Sequence, residues 1–180
     1  LIFLYLNRSY AYFYSYFGAK NLTSPPQKAS YNFNYSKNNK AFKYVALGDS
    51  LTAGVGVSSF EQTFPYLQAE SLSKKHGFVT LIDLAKPGFR TDYLLQTEVP
   101  LAQTFKENYQ KILQELTQKT KAEIIVIAIP YLGSDRIVLF PYRYLLDFNT
   151  QQFNKIIKNL AMERNLKYVD LYSQTKNNLK

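Results

Sequence analysis

The sequence predicts an α/β fold in which helices cover both faces of a parallel sheet, and three observations carry that prediction. Short apolar runs alternate with helix-period stretches from residue 43 to residue 172. The most apolar run, Glu123 to Ile129 (EIIVIAI), has no polar alternation, which is the pattern of a strand buried on both sides. Hydrophobic residues make up 46% of the 180 and charged residues 19%, enough for one domain with its own core plus a tail.

Lys43 to Leu47 (KYVAL) is a β-prone run that delivers Gly48-Asp49-Ser50 to the carboxyl edge of a sheet. A helix is predicted from about Phe64 to His76, with Pro65 tolerated in its first turn and Gly77 just past its end. Phe78 to Leu84 (FVTLIDL) reads as the second strand. From Thr104 to Thr117 the pattern is helical, because Phe105, Tyr109, Ile112, Leu113 and Leu116 share one face. The run Glu123 to Ile129 is stopped by Pro130. A long helix over roughly Tyr144 to Arg164 and a strand over Leu166 to Leu171 (LKYVDL) complete the alternation.

Charge and composition divide the chain. Residues 1–48 hold no Asp or Glu and carry Arg8, Lys20, Lys28, Lys37, Lys40 and Lys43, so most of the formal +9 lies there. We therefore expect the folded domain at 43–180, preceded by a linker at 18–42 containing Ser24-Pro25-Pro26. Residues 1–17 combine the apolar Leu1 to Leu6 with alternating tyrosines. Six apolar residues fall short of the ~20 needed to span a bilayer, so this segment is expected to be the remnant of a signal peptide or membrane anchor. That implies a secreted or membrane-anchored, extracytoplasmic protein. The lysines are expected to flank such an anchor rather than to bind nucleic acid.

Zero cysteines remove disulfide scaffolds, cysteine nucleophiles and thiolate zinc sites, and one histidine cannot supply an imidazole cluster for catalytic zinc. No metal or organic cofactor is called for. The chemistry-bearing segment is Tyr44 to Gly54 (YVALGDSLTAG). It is not a P-loop, because no Lys-Ser/Thr pair follows its glycines. It is not a dinucleotide fingerprint either, since Ser59 stands where a third glycine would be required. What remains is Ser50 placed directly after a strand, where α/β sheets bind ligands, and a serine there can act as a nucleophile if a base takes its proton.

Leu47-Gly48-Asp49-Ser50-Leu51-Thr52-Ala53-Gly54 resembles the first block of the GDSL, or SGNH, hydrolases, and Asp83-Leu84-Ala85-Lys86-Pro87-Gly88-Phe89-Arg90-Thr91 resembles their second. The resemblance spans about residues 43–172. It implies a three-layer, flavodoxin-like α/β fold and a serine hydrolase acting on small-molecule carboxylic esters, an esterase or lipase. Ser50 would be its nucleophile, and the N–H groups of Ser50 and Gly88 would form the oxyanion hole. Gly48, Asp49 and Leu51 support the motif, with Asp49 organising the turn. Gly88 has a second reading, relief of backbone strain in a loop. Asp83 stands where the family usually has Asn.

Two family blocks are not found. The third, a strand followed by Gly-x-Asn-Asp, has no counterpart in residues 94–107, so the sheet is expected to lack one central strand; Gly133-Ser134-Asp135 follows the wrong strand. The fourth, Asp-x-x-His, is also missing. His76 is read as a helix-end cation beside Gly77, and Asp170 lies upstream of where that block belongs. The chain is therefore expected to be truncated at its C-terminus and to turn over weakly or not at all. Two alternatives are a non-catalytic, ligand-binding relative, and a domain tethered by its basic tail to an anionic polymer or nucleic acid.

Overall fold

A computed structural model describes residues 23–25, 30–35, 41–88, 102–132 and 142–178, which fall into two compact units, one within residues 21–90 and one within residues 91–180. Parallel strands joined through helices make the chain an α/β protein.

The first unit contains β1 (Ser30–Asn34), β2 (Ala41–Ala46), a 3-10 turn (Phe60–Gln62), α1 (Phe64–His76) and β3 (Phe78–Asp83). The sheet order is β1-β3-β2, with β2 parallel to β3 and β1 antiparallel to it. The helix α1 forms where its end signals stand. Thr63 caps it by accepting the Tyr66 N–H at 3.4 Å, Pro65 sits in the first turn where no N–H is required, and Lys74, Lys75 and His76 occupy the last turn. Gly77, at φ 94°, ends it. The helix packs on one face of the sheet, over a core of Phe33, Ala46, Phe60, Ala69, Val79 and Leu81. Val79 and Leu81 have no exposed surface, and burying each stabilises the unit by about 1.5–3 kcal/mol.

The 18–42 linker is corrected in part. Residues Ser30–Asn34 are a strand, paired Ser30↔Ile82 through Asn34↔Phe78, and β2 begins at Ala41 rather than Lys43. The physical reason is a short period-two pattern. Phe33 points into the core and Tyr31 stacks on Phe60 at 4.2 Å, while Asn32 accepts a hydrogen bond from Thr80 on the opposite face. Pro25 is also buried, and the Thr23 carbonyl accepts the Gly56 N–H at 3.3 Å.

The second unit contains α2 (Ala102–Lys119), β4 (Ile125–Ile127), α3 (Tyr142–Glu163), β5 (Lys167–Val169) and α4 (Leu171–Asn177). β4 and β5 pair in parallel, and their Val126 and Tyr168 side chains meet Leu113 of α2 and Ile157, Leu160 and Ala161 of α3. Asn154 of α3 is buried and bonds both backbone groups of Ile129, accepting from its N–H at 2.8 Å and donating to its carbonyl at 2.9 Å. The apolar run at 123–129 contributes only three strand residues. Ile125 and Ile127 are 54% and 39% exposed, so the lack of alternation does not report burial on both sides. Helix α4 is an element the sequence did not predict. No strand lies between β3 and β4 among the described residues, and 89–101, which include part of the segment expected to lack the third block, fall outside them, as do residues 1–17 and Gly133-Ser134-Asp135.

Candidate active site

The site begins where β2 ends. After Ala46 the chain turns through Leu47, Gly48, Asp49 and Ser50 into a compact loop. Asp49 closes it from two directions: its Oδ1 accepts the Leu51 N–H at 3.0 Å, and its carbonyl accepts the Ala53 N–H at 2.9 Å. The Ser50 carbonyl accepts the Val55 N–H at 2.9 Å, fixing the backbone that carries the hydroxyl. Gly48 is required by close approach, since a Cβ built there would lie 1.9 Å from the Thr52 Oγ1. Ser50 itself is half-buried.

The second loop leaves the carboxyl end of β3. The parallel ladder continues past the strand ends, because the Leu84 N–H donates to the Ala46 carbonyl at 2.9 Å and the Lys86 N–H to the Gly48 carbonyl at 3.1 Å. These two bonds join the loop of Gly88 to the loop of Ser50 at one sheet edge. Gly88 has φ 76°, a left-handed backbone that favours glycine, and a Cβ added there would meet nothing within 4 Å. The conformation accounts for the residue type, as the backbone reading of Gly88 expects.

Asp83, which stands where the family usually has Asn, ends β3 at the start of this loop. It is only 8% exposed, its Oδ1 accepts the Ala85 N–H at 3.0 Å, and its Oδ2 is buried without a hydrogen-bond partner among the described residues. Burial pushes its carboxyl above the ordinary aspartate range, against the pull of the Ala85 bond. Tyr44 of β2 is pushed up to about 12 by burial and by the nearby Asp83. The β3 pattern could have signalled it, since Val79, Leu81 and Asp83 alternate onto one face.

Other candidates fall elsewhere. His76 closes α1 and stacks on Phe42 at 5.2 Å, near the start of β2, while Ser50 follows that strand's opposite end. In the second unit, Asp170 caps α4, accepting from the Ser173 N–H at 3.0 Å and the Ser173 hydroxyl at 2.9 Å. The Ser173 N–H holds its carboxyl below the ordinary range. Also in that unit, Tyr172 donates to Asp147 at 2.5 Å and Lys176 reaches both, 2.9 Å from the Tyr172 oxygen and 3.3 Å from Asp147, which ties α4 to α3. Among the described residues no three His, Cys, Asp or Glu side chains gather as a metal site, and no helix is long and apolar enough to cross a membrane.

Solved structures show where this fold recurs. The chain is similar to the lipase/acylhydrolase of Enterococcus faecalis, at 20% identity and a TM-score of 0.55 over 74% of this chain and 77% of that one. It is also similar to AlinE4, an SGNH-hydrolase family esterase, at 18% identity and a TM-score of 0.54 over 73% of this chain and 77% of that one. A third is Axe2, an acetylxylan esterase from Geobacillus stearothermophilus, at 14% identity and a TM-score of 0.56 over 77% and 80% of the two chains. The fold is thus that of the SGNH hydrolases. No protein-family model matches the chain, and no curated protein matches it by sequence.

Proposed function

We propose that this protein is a GDSL-type serine hydrolase that cleaves carboxylic esters through Ser50. One observation carries the reading: Ser50 leaves the carboxyl end of a parallel strand on a loop hydrogen-bonded to the loop of Gly88, beside which the space is open. The two motif blocks, separate in sequence, thus meet at one edge, in a fold whose solved relatives include esterases. In this mechanism the Ser50 hydroxyl attacks the acyl carbonyl, and the Ser50 and Gly88 N–H groups receive the oxyanion. A donor of that kind contributes roughly 3–4 kcal/mol to the transition state. The intermediate collapses by breaking the ester C–O bond, the alcohol leaves with the proton given up by Ser50, and water then hydrolyses the acyl-serine to the carboxylic acid and the free Ser50 hydroxyl.

His76 lies beside the start of β2 and is not the base of this reaction. A serine without its base retains only a small residual rate, so we expect turnover by this 180-residue chain to be low. The test is hydrolysis of p-nitrophenyl acetate by the chain and by its Ser50→Ala variant. A rate above background that disappears in the variant supports the assignment, and equal rates overturn it. The distance of His76 from the Ser50 loop favours a second reading, a relative that binds an ester or acyl ligand without cleaving it. Saturable binding of such a ligand that survives Ser50→Ala, with no turnover, would select that reading.

A further inference from the structure

We propose that Asp83 is a positioning residue for the Ser50–Gly88 site, its charge state setting how firmly the loop over residues 84–88 is held against the Ser50 loop. The proposal rests on the hydrolase reading only for what the site is used for. The loop is held near its origin by three hydrogen bonds: Leu84 to Ala46, Ala85 to the Asp83 side chain, and Lys86 to Gly48. Two of these have backbone acceptors of fixed strength. The Asp83 bond alone can change, because a carboxylate accepts an N–H more strongly than a neutral carboxyl does. Ala85 is buried and sits between the other two anchored residues, so a change there is passed to Gly88 three residues on.

The surroundings make that charge conditional. Oδ2 has no partner among the described residues, and burial opposes ionisation. From β2 the group that faces Asp83 is Tyr44, which remains a neutral phenol at physiological pH. β1 begins at Ser30, opposite Ile82, so its described residues stop one position short of Asp83. On α1, Glu70 pairs with Lys74 at 3.3 Å and with Tyr35, which follows the far end of β1, and His76 lies against Phe42. Of the flanking loops, Asp49 is engaged with the Leu51 N–H, and Lys86 stands on the same loop as Gly88. Among the described residues burial is thus the main influence on the Asp83 charge, and Asn at this position would keep the Oδ1 acceptor while removing the titration.

The test follows backbone amides of the full 15N-labelled chain by NMR as pH is raised from about 3 to about 8. We expect the Ala85 and Gly88 amides to shift together with one midpoint above the ordinary aspartate value of about 4. Asp83→Asn should abolish both shifts, and Ser50→Ala should leave both in place. A Gly88 amide that stays still while Ala85 titrates overturns the proposal, as does movement of both amides that persists in Asp83→Asn. The readout needs no turnover. Equal hydrolysis rates for the wild type and Ser50→Ala, alongside coupled titration, would remove the hydrolase reading alone. Where hydrolysis is measurable, kcat should lose its acid limb in Asp83→Asn.

Discussion

At the scale of single residues, the site depends on atoms with no room to move. Gly48→Ala would drive a methyl group into Thr52, and overpacking of this kind costs about 1–3 kcal/mol. We expect a lower urea midpoint and loss of any Ser50-dependent hydrolysis. Asn154→Ala would leave the N–H and carbonyl of Ile129 without their side-chain partner, a loss of roughly 2 kcal/mol readable by the same titration. Asp83 carries the opposite sign. Its folded-state carboxyl is raised, so its contribution to stability is present below pH 4 or so and declines as pH rises through the raised value. Asp83→Asn should therefore raise Tm at neutral pH, with the gain vanishing in acid, as checked by thermal melts across pH. The Gly-Asp-Ser motif was legible in sequence because each residue answers a separate local demand, Gly48 for close approach, Asp49 for turn closure and Ser50 for a hydroxyl at the strand end. The burial of Asp83 was less so, since a motif comparison registers it only as a substitution for Asn.

At the scale of elements, ends read better than interiors. Helix α1 was predicted within its bounds because Pro65 and Gly77 mark its two ends by steric rules that tertiary structure rarely overrides. β1 escaped because its two inward aromatics, Tyr31 and Phe33, lie among Asn and Ser, residues that equally suit a linker. β4 shows the reverse fault, an apolar run longer than the strand it makes. Helix α4 has seven residues and depends on its cap and on the Asp147–Tyr172–Lys176 cluster. Asp170→Ala should cost about 1 kcal/mol in urea unfolding. Because the Asp170 carboxyl is depressed, that contribution is fully present above the ordinary aspartate range and is lost as pH falls from there through the lowered folded-state value, contrary to Asp83.

At the scale of the whole molecule, the α/β class was legible because alternation of periods survives errors in every individual boundary. The partition into two compact units was not, since it depends on contacts rather than on composition. In the first unit, β1 covers the outer hydrogen-bonding edge of β3, and the Thr23 carbonyl is stitched to Gly56 in the loop that follows Ser50. A fragment cut to begin at Ala41, the start of the motif strand, would keep the pairing of β3 with β2 but bare the edge of β3 that β1 covers, and a bare edge of that kind can recruit strands from other molecules. Such a fragment should associate or precipitate, whereas one that keeps residues 21–40 should not, and gel filtration would separate the two. The segment that composition marks as a linker thus supplies the strand that makes β3 the central strand of its sheet.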